Sequence, residues 1–288
     1  MVCIFCKESS TSSKSVEHII PESIGNKRLV LPAGIVCDKC NNYFSSKVEK
    51  PVLSHQSMRN IRGWYQVPTK RGRKPSVKGC IAGTDVEVGM KLSKDNKLQI
   101  DPEKEKDKRV VDAVLARMNS GLEFPPIIFP IEIDPPRKEM SRFLAKMALE
   151  TIAYRFQQEE QKQNLALEPH YDLIRNYSRY GSGVKEWPYH SRAIFPMDTE
   201  MRHPKTGEWV QAGFGHDILL TSHPETYFVF MLYGVEFVIN LGGPSVKGYE
   251  NWLHENDKNS PILKRMNVNL VSKNDNGKTR YFLENYDG

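Results

Sequence analysis

Two pairs of cysteines near the start of the chain restrict its fold more than any other feature. Each pair has the spacing Cys-x-x-Cys, with Cys3 and Cys6 in the first pair and Cys37 and Cys40 in the second. Four thiolates, with about thirty residues between the pairs, are the ligand set expected for a tetrahedral structural zinc ion. The chain must therefore fold back so that both pairs meet at one ion. A segment this short has too small a core to hold its shape without such a staple.

The segment between the cysteine pairs carries residues suited to hydrolytic chemistry. Residues 17–21 read Glu-His-Ile-Ile-Pro, and Asn41 directly follows Cys40. A histidine side chain titrates near neutral pH, so His18 can accept a proton from a water molecule. Hard divalent cations prefer carboxylate and amide oxygens, so Glu17 and Asn41 are candidate ligands of Mg²⁺ or Mn²⁺. Phosphodiester hydrolysis needs both an activated water and a cation that neutralises the leaving oxygen.

These residues closely resemble the HNH endonuclease family, in particular its cysteine-flanked members, over about residues 3–50. The resemblance implies a small ββα-metal module in which His18 is the general base. It also implies that Glu17 and Asn41 bind the catalytic divalent ion, Mg²⁺ or Mn²⁺. The zinc would be structural, and its ligands would be the four cysteines of the two pairs: Cys3, Cys6, Cys37 and Cys40.

The sequence departs from the usual family pattern at two places. Glu17 stands where aspartate is more common, so the carboxylate lies one methylene further from the backbone. The central asparagine that orients the base in many members is absent, and Leu31 and Pro32 occupy that region. Asn26, Asn42 and a backbone carbonyl remain open as the group that orients His18.

Positive charge is concentrated in the first part of the chain. The formal net charge is +6, but residues 1–80 hold fourteen Lys and Arg against five Asp and Glu, and the remaining 208 hold 27 against 30. A cationic N-terminal part suggests a polyanionic partner, first of all DNA, with RNA not excluded. The basic segment 69–75 is either a solvated hinge or an arm that contacts phosphates. The expected nucleic-acid contacts are Lys27, Arg28, Lys39, Lys47, Arg71, Arg73 and Lys74.

The remaining sequence predicts an α+β protein with three parts: a zinc-stapled module at 1–56, a basic linker at 57–80 and a larger mixed domain at 81–288. Helical spacing predicts helices over 42–53, 109–118, 137–160, 171–180 and 249–255. Short apolar runs over 208–214, 217–221, 227–233 and 236–240 predict an antiparallel sheet. The run 227–233 is apolar on both faces, so it should be a central strand.

Composition and patterning narrow the class of protein. No apolar run approaches the roughly 20 residues of a membrane-spanning helix, and free cysteines suit a reducing compartment, so we expect a cytoplasmic protein with no membrane partner. The expected function is a metal-dependent endonuclease acting on DNA, as a bacterial restriction or anti-phage defence effector. The alternative is a non-catalytic zinc protein that binds nucleic acid. The larger domain at 81–288 is expected to supply substrate selection, oligomerisation or regulation. The corresponding expected partners are DNA, a second copy of the chain in a homo-oligomer, and a small-molecule or protein activator.

Overall fold

The computed structural model describes residues 1–69, 72–93, 95, 97–156 and 165–285, which form a mixture of helices and sheets. The chain divides into two compact units. Unit 1 comprises Met1–Ile20, Lys27–Glu49 and Arg137–Gly288, and unit 2 comprises Pro21–Asn26 and Lys50–Pro136. These limits differ from the predicted parts 1–56, 57–80 and 81–288. Within the described residues, no helix is long and apolar enough to cross a membrane.

The N-terminal part of unit 1 contains a short hairpin followed by a helix. Strand β1 (Glu17–His18) pairs antiparallel with β2 (Val30–Leu31). Helix α1 (Asp38–Phe44) begins at the second cysteine pair, because the Cys37 side chain accepts a hydrogen bond from the Cys40 backbone and caps the helix. A π-helical turn, Ser45–Glu49, continues it. The helix expected from residue 42 therefore starts four residues earlier, at the cap.

Unit 2 packs helices against a four-stranded sheet. Helices α2 (Lys50–Leu53) and α3 (Gln56–Trp64) precede β3 (Val77–Ile81), β4 (Glu87–Leu92) and β5 (Leu98–Pro102); α4 (Lys108–Asn119) and β6 (Ile127–Ile128) follow. The sheet order is β5-β4-β3-β6. Its core contains Ile81, Val88, Val111 and Val114. The segment 57–80, expected as a linker, thus contains most of α3 and the start of β3.

Helix α5 (Arg137–Phe156) is enclosed on more than one side in unit 1. The predicted apolar face is buried, from Met140 to Ile152. Lys146 and Glu150 are also buried, with 0% of each side chain exposed. The predicted extension of this helix to residue 160 lies outside the described residues. Helix α6 (Asp172–Tyr180) follows and ends as expected at Gly181, whose φ of +67° is the left-handed conformation typical of a helix C-cap.

The central sheet of unit 1 has the order β10-β11-β12-β7 and is antiparallel. Its strands are β7 (Tyr189–Ala193), β10 (Phe214–Leu220), β11 (Thr226–Leu232) and β12 (Val235–Asn240). Strand β11 has a neighbour on each side, and its residues from Tyr227 to Leu232 are buried. This confirms the prediction of a central strand from an apolar run without alternation.

A second sheet of unit 1 has the order β13-β14-β8-β9. Its strands are β8 (Glu200–Arg202), β9 (Trp209–Gln211), β13 (Val268–Asp275) and β14 (Lys278–Asn285), and helices α7 (Lys247–Glu255) and α8 (Pro261–Met266) precede β13. Strands β14 and β8 are parallel, and both lie outside the runs for which an antiparallel sheet was predicted. The predicted strand 208–214 divides, because β9 belongs to this sheet while β10 starts at Phe214.

Candidate metal centre and active site

The four cysteines of the two pairs meet at one point. Their Sγ atoms all lie within 4.8 Å of one another. The Sγ atoms of Cys6 and Cys37 are 3.7 Å apart. A tetrahedral zinc ion with Zn–S bonds of about 2.3 Å places its sulfur ligands roughly 3.8 Å apart. The cluster is therefore positioned to bind one metal ion, and its all-sulfur ligand set fits zinc.

The thiols are held by the backbone and by a neighbouring cation. The backbone N–H of Cys37 donates to Cys3 Sγ at 3.3 Å, and that of Cys40 donates to Cys37 Sγ at 3.4 Å. A hydrogen bond from Cys40 lowers the pKa of Cys3 to about 4, and the same contact raises the pKa of Cys40. Arg179 of α6 donates from Nε to Cys40 Sγ at 3.4 Å. The backbone N–H groups and Arg179 favour the thiolate form of the sulfur atoms to which they donate, whereas the Cys3 contact and burial raise the pKa of Cys40.

The start of α1 fixes the chain that leads into β1. The Asp38 carboxylate accepts hydrogen bonds from the backbone N–H groups of Lys14, at 3.1 Å, and Ser15, at 2.9 Å. Hydrogen bonds from Ser15 and Lys14 hold the pKa of Asp38 below its usual value. The side-chain amide of Asn41 donates to the Val16 carbonyl at 3.0 Å. The structure therefore brings Asn41 to the residue that precedes Glu17.

The carboxylate of Glu17 lies inside unit 1, beside a lysine that the sequence analysis missed. Lys146 Nζ donates to Glu17 Oε1 at 2.7 Å and to the His18 carbonyl at 3.4 Å. The same Nζ lies 2.7 Å from Glu49 Oε1 and 3.0 Å from Glu150 Oε2. We call these four residues the buried charge cluster. Its only signal in the sequence is a Lys and a Glu four residues apart within the apolar stretch of α5.

The buried charge cluster has more negative than positive groups. Burial raises the pKa of Glu17 against the effect of Lys146, and it raises the pKa of Glu150 well above the usual value. Burial lowers the pKa of Lys146, but the carboxylates of the cluster outweigh it and raise that pKa well above its usual value. With all groups ionised, three carboxylates and one ammonium give a charge of −2. Such a charge away from water requires protons or a further cation.

Four polar atoms in or beside this cluster have no hydrogen-bond partner. Within the described part of the chain, they are Glu17 Oε2, both carboxylate oxygens of Glu150, and His18 Nδ1, and all four are buried. An unpartnered carboxylate oxygen on Glu17 fits the ligand set of a divalent cation. Among the residues that the structure describes, none forms a hydrogen bond with His18 Nδ1. The choice among Asn26, Asn42 and a backbone carbonyl as its orienting group therefore stays a prediction.

The predicted nucleic-acid contacts are surface residues wherever the structure describes them. In unit 1, the predicted contacts Lys27, Arg28, Lys39 and Lys47 are all exposed. In unit 2, Arg73 and Lys74 are exposed. Arg71 lies outside the described residues.

Comparison with known proteins supports the resemblance inferred from the motif. Residues 3–57 match the family model described as HNH endonuclease. This match confirms a resemblance limited to the N-terminal segment, and it indicates a nuclease-type function. No curated protein and no solved structure matches the chain.

Proposed function

We propose that this protein is a metal-dependent HNH endonuclease that hydrolyses phosphodiester bonds of DNA. One observation carries the proposal: the segment matched to the HNH family, residues 3–57, contains Glu17, His18 and Asn41 together with all four clustered cysteines. In this proposal β1, β2 and α1 are the ββα-metal module. The hydrogen bond from Asn41 to the Val16 carbonyl supports it, because that bond joins the helix to the strand that carries the acid and the base.

In the proposed mechanism His18 takes a proton from the attacking water, and no covalent intermediate forms. Glu17 and Asn41 are the proposed ligands of Mg²⁺ or Mn²⁺. A divalent ion held there would neutralise the charge that develops on the leaving 3′-oxygen. Lys146 orients the Glu17 carboxylate by binding Oε1, which leaves Oε2 as the oxygen available to a cation.

The zinc is proposed to be structural. Four thiolates complete its tetrahedron, so no position is left open for a water molecule or a substrate. Cys3 and Cys6 precede β1, while Cys37 and Cys40 flank the first turn of α1. The ion would therefore hold the helix that carries Asn41 against the segment that leads to His18.

The proposed substrate is DNA, contacted by the exposed cations Lys27, Arg28, Lys39 and Lys47, with RNA as the second polyanion to test. None of the five cysteines forms a disulfide, which suits the proposed cytoplasmic location. By analogy with the family, the biological role we propose is restriction or anti-phage defence. Such an enzyme would be restrained if its activity required assembly into a homo-oligomer or an activator bound by residues 81–288.

A non-catalytic nucleic-acid-binding protein is the second candidate. The burial of Glu17 favours it, because only 5% of this residue is exposed and one of its oxygens is already bound by Lys146. In that case the zinc would serve the fold alone, and His18 would have no role in chemistry.

The test is cleavage of supercoiled plasmid by zinc-loaded protein with Mg²⁺ or Mn²⁺, comparing wild type with His18→Ala. His254→Ala is the matched control, because His254 is an exposed histidine on α7. We expect wild type and the control to nick the plasmid and His18→Ala to lose cleavage by at least about a hundredfold. Cleavage that survives in His18→Ala would contradict the proposal. DNA binding without cleavage by the wild type would favour the second candidate.

A further inference from the structure

A solvent-open cavity in unit 2 is lined almost entirely by cationic and small residues. Its volume is about 420 Å³, and its walls are formed by residues of α2 and α3 together with Thr69 and residues 73–75. Five of the nine lining residues carry a positive charge, and none carries a negative charge. The five cations are Lys50, Arg59, Arg62, Arg73 and Lys74.

Two lysines of the same unit form ion pairs, in contrast to four of the described cations of the cavity. On the sheet, Lys78 Nζ lies 2.6 Å from Glu103 Oε2, and Lys91 Nζ lies 2.8 Å from Asp101 Oδ2. Within the described residues, no ion pair is present at Lys50, Arg59, Arg73 or Lys74. Cations that share one concave surface repel one another, and an anion bound among them removes that cost.

The walls of the cavity are tied together by close backbone contacts. Arg59 and Arg62 are three residues apart on α3, so they share one face of that helix. Gly63 allows α3 to approach the following segment closely, since a Cβ at this position would lie 2.8 Å from the Pro75 carbonyl oxygen.

Two hydrogen bonds join Thr69 to Arg73. The Thr69 backbone N–H donates to the Arg73 carbonyl at 2.7 Å, and the Arg73 N–H donates to Thr69 Oγ1 at 3.2 Å. The cations of the cavity therefore stand on a connected framework, which lowers the entropic cost of binding an extended anion.

We propose that this cavity binds backbone phosphates of the nucleic-acid substrate. The shared chemistry is phosphate recognition by guanidinium and ammonium groups. The cavity is open to solvent, so a nucleic-acid strand can pass through it. Five cations line it, so several successive phosphates of one strand can bind there together. The assignment of these phosphates to a nucleic acid rests on the proposed function, since a nuclease must hold a strand outside its cleavage site.

Fluorescence anisotropy with a labelled DNA duplex tests the proposal. It is measured at several salt concentrations with no divalent ion added, so that cleavage does not contribute. The cavity variant is Lys50→Gln/Arg59→Gln/Lys74→Gln, which leaves the buried Arg62 intact. The control variant is Lys104→Gln/Lys106→Gln/Arg109→Gln, which removes the same charge from exposed positions of the same unit. Circular dichroism and zinc content establish that both variants are folded.

Each phosphate contact contributes about 0.9 to the slope of log affinity against log salt concentration. The slope should therefore decrease by roughly 2 to 3 in the cavity variant, with affinity lower by roughly a hundredfold or more at 0.1 M salt. The control variant should bind like the wild type. Equal slopes for the cavity variant and the control would overturn the proposal.

Titration with pyrophosphate separates the two sources of phosphate. Pyrophosphate binding that is lost in the cavity variant, with an unchanged DNA slope, would assign the cavity to a free phosphate compound and overturn the nucleic-acid assignment. The failure of the nuclease proposal is distinguishable, because it would abolish plasmid cleavage by the wild type and leave the salt slopes as expected. If both proposals hold, the cavity variant raises KM and keeps kcat, whereas His18→Ala loses kcat and keeps DNA affinity.

Discussion

Replacing Lys146 by methionine should destabilise unit 1 strongly, because it leaves the carboxyl groups of Glu17, Glu49 and Glu150 without their cation. Methionine preserves most of the side-chain volume, so the change removes charge and hydrogen bonding rather than packing. Lys146 is fully buried and lies within 3.0 Å of a carboxylate oxygen of Glu17, Glu49 and Glu150. Breaking a buried ion pair by removing one partner costs about 3–5 kcal/mol. We expect the free energy of unfolding of Lys146→Met to decrease by about that amount.

The assay is urea unfolding followed by circular dichroism on zinc-loaded protein without added divalent ion. Glu150→Gln is the matched control. Burial raises the pKa of Glu150 well above its usual value, so its ionised form is already disfavoured and an uncharged amide should cost little, about 1 kcal/mol or less. A control that destabilises as much as Lys146→Met would mean that Glu150 is ionised in the fold and that its ion pair with Lys146 is required, which would contradict the reasoning from its raised pKa.

The pH dependence gives the reasoning a second check. A carboxyl group whose folded pKa lies above its unfolded value binds its proton more tightly in the fold, so folding is favoured as pH falls. Without Lys146 the pKa values of the buried carboxyls should rise further. The deficit of Lys146→Met at pH 7 should therefore shrink at pH 5. Wild-type stability in the variant at pH 7, or a deficit that grows on acidification, would refute this account of the cluster.

Three other predictions concern the zinc centre and unit 1. Removing zinc with a chelator should lower the free energy of unfolding by roughly 5 kcal/mol or more, measured by urea unfolding before and after zinc is restored. Burial and the Arg155 cation lower the pKa of His216 to about 4, so its neutral form is favoured in the fold. The stability it contributes is complete above pH 6.5 and is lost as pH falls towards 4, by about 2–3 kcal/mol; His216→Phe should show a smaller loss. Gly234→Ala should cost about 2 kcal/mol or more, because φ is +82° and a Cβ would lie against the Phe195 carbonyl. Thermal melting should separate it from Gly207→Ala, whose φ is +70° but whose Cβ would meet nothing within 4 Å.

The metal centre could be predicted from the sequence because its signal is local within each pair. Two residues between cysteines place both thiols on one side of a tight turn. The complete site then requires only one long-range contact, between the first pair and the second. The buried strand at Tyr227–Leu232 was predictable for a similar reason, since an apolar run without alternation requires cover on both faces.

The buried charge cluster could not be predicted, because its members are distant in sequence. Lys146 and Glu17 are separated by 129 positions. A helical pattern assigns a lysine to the solvent face by default, and only the three-dimensional packing of α5 reverses that assignment. The predicted start of α1, residue 42, is four residues too late for a different reason. The N-cap of this helix is Cys37, and cysteine is not among the residues that usually cap a helix N-terminus.

Arg179 and Lys146 limit how the segment that resembles the HNH family can be transferred between proteins in evolution. The stretch that resembles the HNH family ends at residue 57, yet a cation from α6 contacts Cys40 and one from α5 binds Glu17. A fragment cut at that boundary would keep every residue of the motif and lose the two cations that neutralise it. This segment therefore does not contain all the residues that support its own site. Any recombination that transfers it to another protein must also carry α5 and α6, or evolve substitutes for their cations.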